Sequence, residues 1–266
     1  MSSELIHRNG DYVLYYYKRN SNNETTNDDE LINEIICVVC ISFQRIHLYK
    51  ALRLNELEFE TLIKALIYQS INNDALFLYY IRYEPIDKNQ IELSSEDPKF
   101  KYINKIIAVN LRRDRFDLDN NVYPIGNGTL EIILRLIKEA HNIYMKYLEE
   151  TIIDKIELED LLKTKYQILY LSIGCVLIEF HNQGLYTWFR PLVMKHIQSR
   201  FNFKRSYGIS LSAASTHVLE KDGYICIGKI NIKTCEWLDQ TTSDLLKSID
   251  DDLDEISIME QIHIRS

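Results

Sequence analysis

The chain has 266 residues, 46% hydrophobic and 26% charged, with a formal net charge of -8. These values describe a globular protein that can fill its own core without a disulfide or metal staple, and they exclude disordered and fibrous classes. The acidic balance excludes general attraction of the whole molecule to nucleic acid or anionic membrane. With only 8 glycines, the glycine-rich loops that cradle phosphates or bend a nucleophile into a sharp turn are disfavoured.

Asp11 to Arg19 (DYVLYYYKR) reads as a strand, dense in tyrosine, valine and leucine. Residues 20 to 30 hold no apolar side chain and read as a solvated loop. Glu34 to Phe43 (EIICVVCISF) is apolar almost throughout, the pattern of a strand buried on both faces. Asn55 followed by Glu58 makes a capping box. Behind it Phe59, Leu62, Ile63, Leu66 and Ile67 share one helical face. Ala75 to Tyr83 and Tyr102 to Leu111 read as two further strands. Pro124-Ile125-Gly126-Asn127-Gly128 is a turn signal. After it Leu130, Ile133, Ile137, Ala140, Tyr144 and Leu148 trace a long amphipathic helix.

The first 155 residues therefore spell β-β-α-β-β-α, a sheet with helices packed on it. The expected fold class is α+β, with this module at 1–155 and, at 156–266, a mainly helical region that holds a β-hairpin near 217–233. In that second region Glu157 to Phe180 starts as a helix, and Tyr166 to Phe180 suits a buried strand equally well. Trp188 to Phe203 reads as a helix that tolerates Pro191 only in its first turn. Asp222-Gly223 turns the chain into a strand ending near Ile232. From Trp237, Leu238, Leu245, Leu246, Ile249, Leu253 and Ile256 form the stripe of an acidic C-terminal helix rich in aspartate at 250–254.

The motifs that carry chemistry fail on inspection. Cys37 and Cys40 have the spacing of a zinc or redox pair, but in a strand residues three apart point to opposite faces. Asp117, Asp119 and Asn121 resemble the start of a calcium loop, yet Val122 and Gly128 stand where glycine and the closing glutamate are needed. His217, Cys226 and Cys235 match no zinc module. No metal, cofactor or catalytic residue is assigned. Five cysteines without framework spacing, and no apolar leader, place the chain inside the cell, in cytoplasm or nucleus, with reduced thiols. The longest apolar stretch, Ile168 to Phe180, is too short to span a bilayer.

One segment stands apart. Residues 181 to 219 contain no Asp or Glu, and interleave Arg190, Lys195, Arg200, Lys204 and Arg205 with Trp188, Tyr207 and other aromatics. Such a segment suits an anion, a nucleic acid or a partner protein. It suits equally a solvated helix face, or the chain's own acidic helix. The expectation is a non-catalytic protein-binding subunit or adaptor working with a protein partner, as a homo- or hetero-oligomer. The second reading is a nucleic-acid-associated factor using 181–219, and the third an enzyme whose site is dispersed along the chain.

Overall fold

The computed structural model describes residues 3–17, 25–44, 46–72, 76–86, 99–118, 129–235, 244 and 255–263. Its strands are β1 (Ser3–Asn9), β2 (Tyr12–Tyr17), β3 (Leu76–Tyr83), β4 (Ile106–Asp114), β5 (Ile168–Val176), β6 (Arg205–Ser210), β7 (Ile225–Asn231) and β8 (Glu255–Ile262). They form one sheet in the order β1-β2-β3-β4-β5-β6-β8-β7. Every neighbouring pair is antiparallel except β5 and β6, which run parallel. The helices are α1 (Thr25–Phe43), α2 (His47–Ala51), α3 (Glu56–Asn72), α4 (Thr129–Thr151), α5 (Lys155–Lys163), α6 (Leu185–Arg200) and α7 (Ala213–Lys221).

This architecture corrects the expected fold class. A β-β-α-β-β-α module followed by a mainly helical half does not describe a chain whose second half supplies four strands of an eight-stranded mixed sheet. Glu34 to Phe43, expected as a strand, is the C-terminal half of α1. Ile32, Ile35, Ile36 and Val39 are buried at helical spacing. An apolar run of ten residues suits a buried strand and a buried helix alike, and the polar residues before it, which lengthen the helix, decide the matter. The expected C-terminal helix fails at its end, where Glu255 and Ile256 begin β8. Its remaining residues lie outside the described ones, apart from Asp244, as does the turn at 124–128.

Other elements form where the pattern placed them. The Asn55 side chain accepts from the backbone N–H of Leu57 (3.0 Å) and Glu58 (3.4 Å), capping α3. Leu130, Ile133, Ala140, Tyr144 and Leu148 are buried along α4. Helix α6 begins three residues before Trp188, so Pro191 falls in its second turn and leaves the Thr187 carbonyl without its helical donor.

The sheet has two covered faces. Tyr79, Asn110 and Arg112 face α6, as the contacts of Tyr79 with His196 and Arg112 with Met194 record. Helix α7 lies on that same face, since Asp222 at its C-cap pairs with Arg190 of α6. On the other face Glu34 of α1 accepts from the Ile106 N–H (2.8 Å). Farther along that face Tyr144 and His141 of α4 meet Tyr207 and Tyr170.

Candidate active site

Strands β5 and β6 pair only at Ile168–Arg205, Leu169–Ser206, Tyr170–Tyr207 and Leu171–Gly208. Beyond Leu171, β5 continues to Val176 with no strand on its β6 side, while β6 ends at Ser210. A cleft therefore opens in the middle of the sheet, and two features explain its place. The β4–β5 register slips between Leu111–Ile173 and Arg112–Leu171, which makes Ser172 an extra, bulged residue. Bulges bend a strand and increase its twist, and this one lies where β5 leaves β6. At the convergence Gly208 has no side chain, and a Cβ there would lie 3.0 Å from that of Leu171.

One wall of the cleft is the edge of β5 from Ser172 to Val176, with Gly174 exposed. On the α6 face the Tyr186 hydroxyl lies over Gly174, where any Cβ would collide with it. The chain then passes through a 3-10 turn at 178–180 into α6, whose N-cap is Gly184 with φ +70°. Residues from β2 and from around the 3-10 turn before β4 brace this connection. Gln183 accepts from Tyr12 (2.6 Å) and Lys99 (3.0 Å), and Glu179 accepts from the Tyr102 hydroxyl (2.6 Å).

The second wall is the end of β6 and the start of α7, and it is rich in hydroxyls. Ser212 caps α7, accepting from the Ser215 N–H at 3.2 Å. The Oγ atoms of Ser212 and Ser215 are 2.9 Å apart, and Thr216 donates to Ser210 at 2.9 Å. On the α4 face, beside the convergence, Tyr207 stacks on Tyr144 with ring centroids 3.8 Å apart. The Tyr207 hydroxyl shares a 3.0 Å hydrogen bond with His141 Nδ1. Glu260 is fully buried, accepting from Tyr144 (3.0 Å) and Arg205 (2.9 Å).

The residues singled out at 181–219 do not share one surface. Arg190 is wholly buried under α6, while Tyr207 is buried on the opposite face of the sheet. Arg200 pairs with Glu4 (2.6 Å), Lys204 with Asp160 (3.2 Å) and Arg205 with Glu260 (2.9 Å). Trp188 packs beside His7, and Lys195 is exposed on α6. Four of these five cations thus face carboxylates from other parts of the chain, including β8. Cys37 and Cys40 lie on helix α1, exposed and half-buried respectively. The argument that opposite strand faces separate them therefore does not apply. Among the described residues no three His, Cys, Asp or Glu side chains converge as metal ligands, and no helix is long and apolar enough to cross a membrane. The strongest missed signal is Gly174 inside the apolar strand LYLSIGCV, since a glycine there marks a bulge or close backbone approach.

No protein-family model and no curated protein matches this sequence. Among solved structures the chain is similar to the C-terminal condensation domain of Ebony in complex with beta-alanyl-dopamine. That likeness has 12% identity over 88% of this chain and 95% of that one, with a TM-score of 0.62. It is similar to arylalkylamine N-acetyltransferase 2 from Aedes aegypti, at 14% identity over 94% of this chain and 98% of that one (TM-score 0.56). It is also similar to an apo form of an agmatine N-acetyltransferase mutant, at 11% identity over 95% and 100% of the two chains (TM-score 0.57). At these identities the likeness establishes the fold, that of the GNAT acetyltransferases. The expectation of a non-catalytic adaptor, which rested on missing motifs, is overturned, since the structures that share this fold include N-acetyltransferases.

Proposed function

We propose that this chain is an N-acyltransferase that moves an acyl group from a thioester donor, held in the β5–β6 cleft, onto an amine. The observation that carries the reading is the parting of β5 from β6 after Leu171 and Gly208. An unpaired strand edge offers backbone donors and acceptors to an extended, amide-bearing ligand arm. The adjoining N-terminus of α6 suits phosphates at the far end of such an arm. Similarity to N-acetyltransferases across nearly the whole chain supports the same assignment.

In the reaction the amine nitrogen attacks the thioester carbonyl. The C–N bond forms, the C–S bond breaks, the amine loses a proton and the leaving sulfur gains one. The linked hydroxyls of Ser210, Ser212 and Ser215 lie on the β6–α7 wall and are assigned to donate to the leaving sulfur. The acceptor is assigned to the α4 face, where the buried rings of Tyr144, Tyr170 and Tyr207 pack together behind the half-buried His141. There His141, held by Tyr207, is assigned to take the amine proton.

The test is thiol release from acyl-coenzyme A thioesters by the full chain, with arylalkylamines, agmatine and polyamines as acceptors. Amine-dependent release is the expected result. Absence of release with every amine, together with no thioester binding, would overturn the reading.

A further inference from the structure

We propose that the acyl group brought into the cleft ends in a carboxylate, which Arg112 and Arg190 bind at the point where β5 and β6 converge. This rests on the acyltransferase reading and names the class of donor: thioesters of short dicarboxylic acids, such as malonyl, succinyl or glutaryl.

Both guanidinium groups are wholly buried, at 0% exposure. Arg190 lies between two rings, 5.3 Å from the centroid of Tyr186 and 5.5 Å from that of Tyr224. Tyr186 covers Gly174 on β5, and the Tyr224 hydroxyl is 2.7 Å from that of Ser206 on β6. The Arg190 head therefore bridges the two strands from the α6 face, directly behind the cleft. Arg112 reaches the same place from β4, opposite Leu171.

The acceptors around this pair are too few. Arg190 faces the Asp222 carboxylate at 3.2 Å, yet no nitrogen of its head makes a well-directed hydrogen bond. Arg112 donates from Nε to Asn110 Oδ1 (2.8 Å) and from Nη1 to the Met194 sulfur, and its Nη2 has no partner. Among the described residues one carboxylate thus answers two guanidinium groups. Burial pushes Arg112 down to about 10, which leaves it charged at neutral pH.

A buried cation without a full set of acceptors destabilises the fold, and apolar side chains of similar volume would serve packing as well or better. Stability therefore does not account for the pair, whereas a ligand carboxylate does. Its two oxygens match the planar donor fork of arginine. The ring of Tyr186 separates Gly174 from Arg190, and turning it aside admits the acyl end. An acetyl group ends in a methyl and brings no charged acceptor to these donors. The transfer itself balances as before: the amide product keeps the distal carboxylate, and the thiol leaves with one proton.

Calorimetric binding of acetyl- and succinyl-coenzyme A to the full, unmodified chain tests the inference. Succinyl-coenzyme A is expected to bind about tenfold or more tightly than acetyl-coenzyme A, the scale of one charge-assisted pair. In Arg112→Met and Arg190→Met the ratio should fall towards one, with thermal unfolding showing that each variant is folded. Equal or tighter binding of the acetyl thioester to the unmodified chain would overturn the inference and leave the acyltransferase reading standing. A preference that survives in both variants would overturn the assignment to these arginines. If no thioester binds at all, the acyltransferase reading fails and takes the inference with it.

Discussion

Replacing Gly208 by alanine tests the convergence of β5 and β6 on which the cleft depends. The new Cβ would sit 3.0 Å from Leu171 Cβ and 3.6 Å from both Leu171 Cδ2 and the Leu171 carbonyl oxygen. The nearest obstacle is close to the backbone, so a rotamer change in Leu171 does not remove it. Overpacking of this kind costs about 1–3 kcal/mol. Leu171→Gly removes the opposing Cβ. Alone it should cost about 3 kcal/mol, the lower range for a truncated leucine plus the penalty for glycine in a strand. In the double variant the collision is absent, so the loss should be smaller than the sum by about 1–2 kcal/mol, within the range seen for residues in contact. Urea unfolding of the four proteins measures the coupling. Additivity within about 0.5 kcal/mol, the behaviour of independent sites, would refute the claimed contact and with it the place where the cleft starts.

Three further outcomes follow from the burial and pairing of particular groups. Burial pushes the Cys175 thiol up to about 12 and Cys40 to about 11, whereas Cys37 and Cys226 are exposed. A haloacetamide at pH 8 should therefore modify Cys37 and Cys226 first and Cys175 only after denaturation, and peptide mass mapping gives the order. His196 and His263 are held below the usual histidine range by burial, reinforced by Arg200 and Arg112 respectively. The unfolded chain then takes up protons first as pH falls below about 6.5. Stability should drop from pH 7.5 to 5.5, with a smaller drop in His263→Asn, as urea midpoints at the two pH values would register. Arg205→Met strands the buried Glu260 carboxylate and should cost about 3–5 kcal/mol, while Arg205→Met with Glu260→Leu should recover most of it; thermal unfolding compares them.

Secondary structure was legible in the sequence where a local pattern matched a local cause. The Asn55 cap, the stripe of α4 and the Asp222-Gly223 turn each rest on residues within a few positions of one another, and each forms, although the turn joins helix α7 to β7 where a β-hairpin was expected. Helix α1 was misread because its apolar half satisfies two kinds of burial, against the sheet and against α3. Strand β8 was hidden by the acidic residues before it, and Ile256, at the end of the supposed helical stripe, is one of its inward-facing residues. The largest error was topological. The parallel pairing of β5 and β6, separated in sequence by all of α6, has no local signature, because partner choice in a sheet depends on contacts between distant segments.

The basic-aromatic segment shows why the site was still less legible. Its lack of acidic residues was real, and it was read as one face of one element. Folding divides it among α6, β6 and α7, and sends its cations to different places. Arg190 illustrates the physical reason. In sequence it is one of several cations on a helix with tryptophan and phenylalanine nearby. Its distinction is the neighbourhood of Tyr186, Tyr224, Asp222 and Arg112, drawn from four elements or their ends. Spacing rules cannot find such a site, because Arg112 stands more than seventy positions before Tyr186, Asp222 and Tyr224 in the chain and only the fold brings them together. What sequence can supply is the anomaly that the fold must explain: a glycine where a strand is otherwise apolar, and arginine on a strand, β4, with every residue buried. Gly174 pairs with Asn110 and Arg112 with Leu171 on the adjoining strands β5 and β4, and these two anomalies flank the point where the cleft opens.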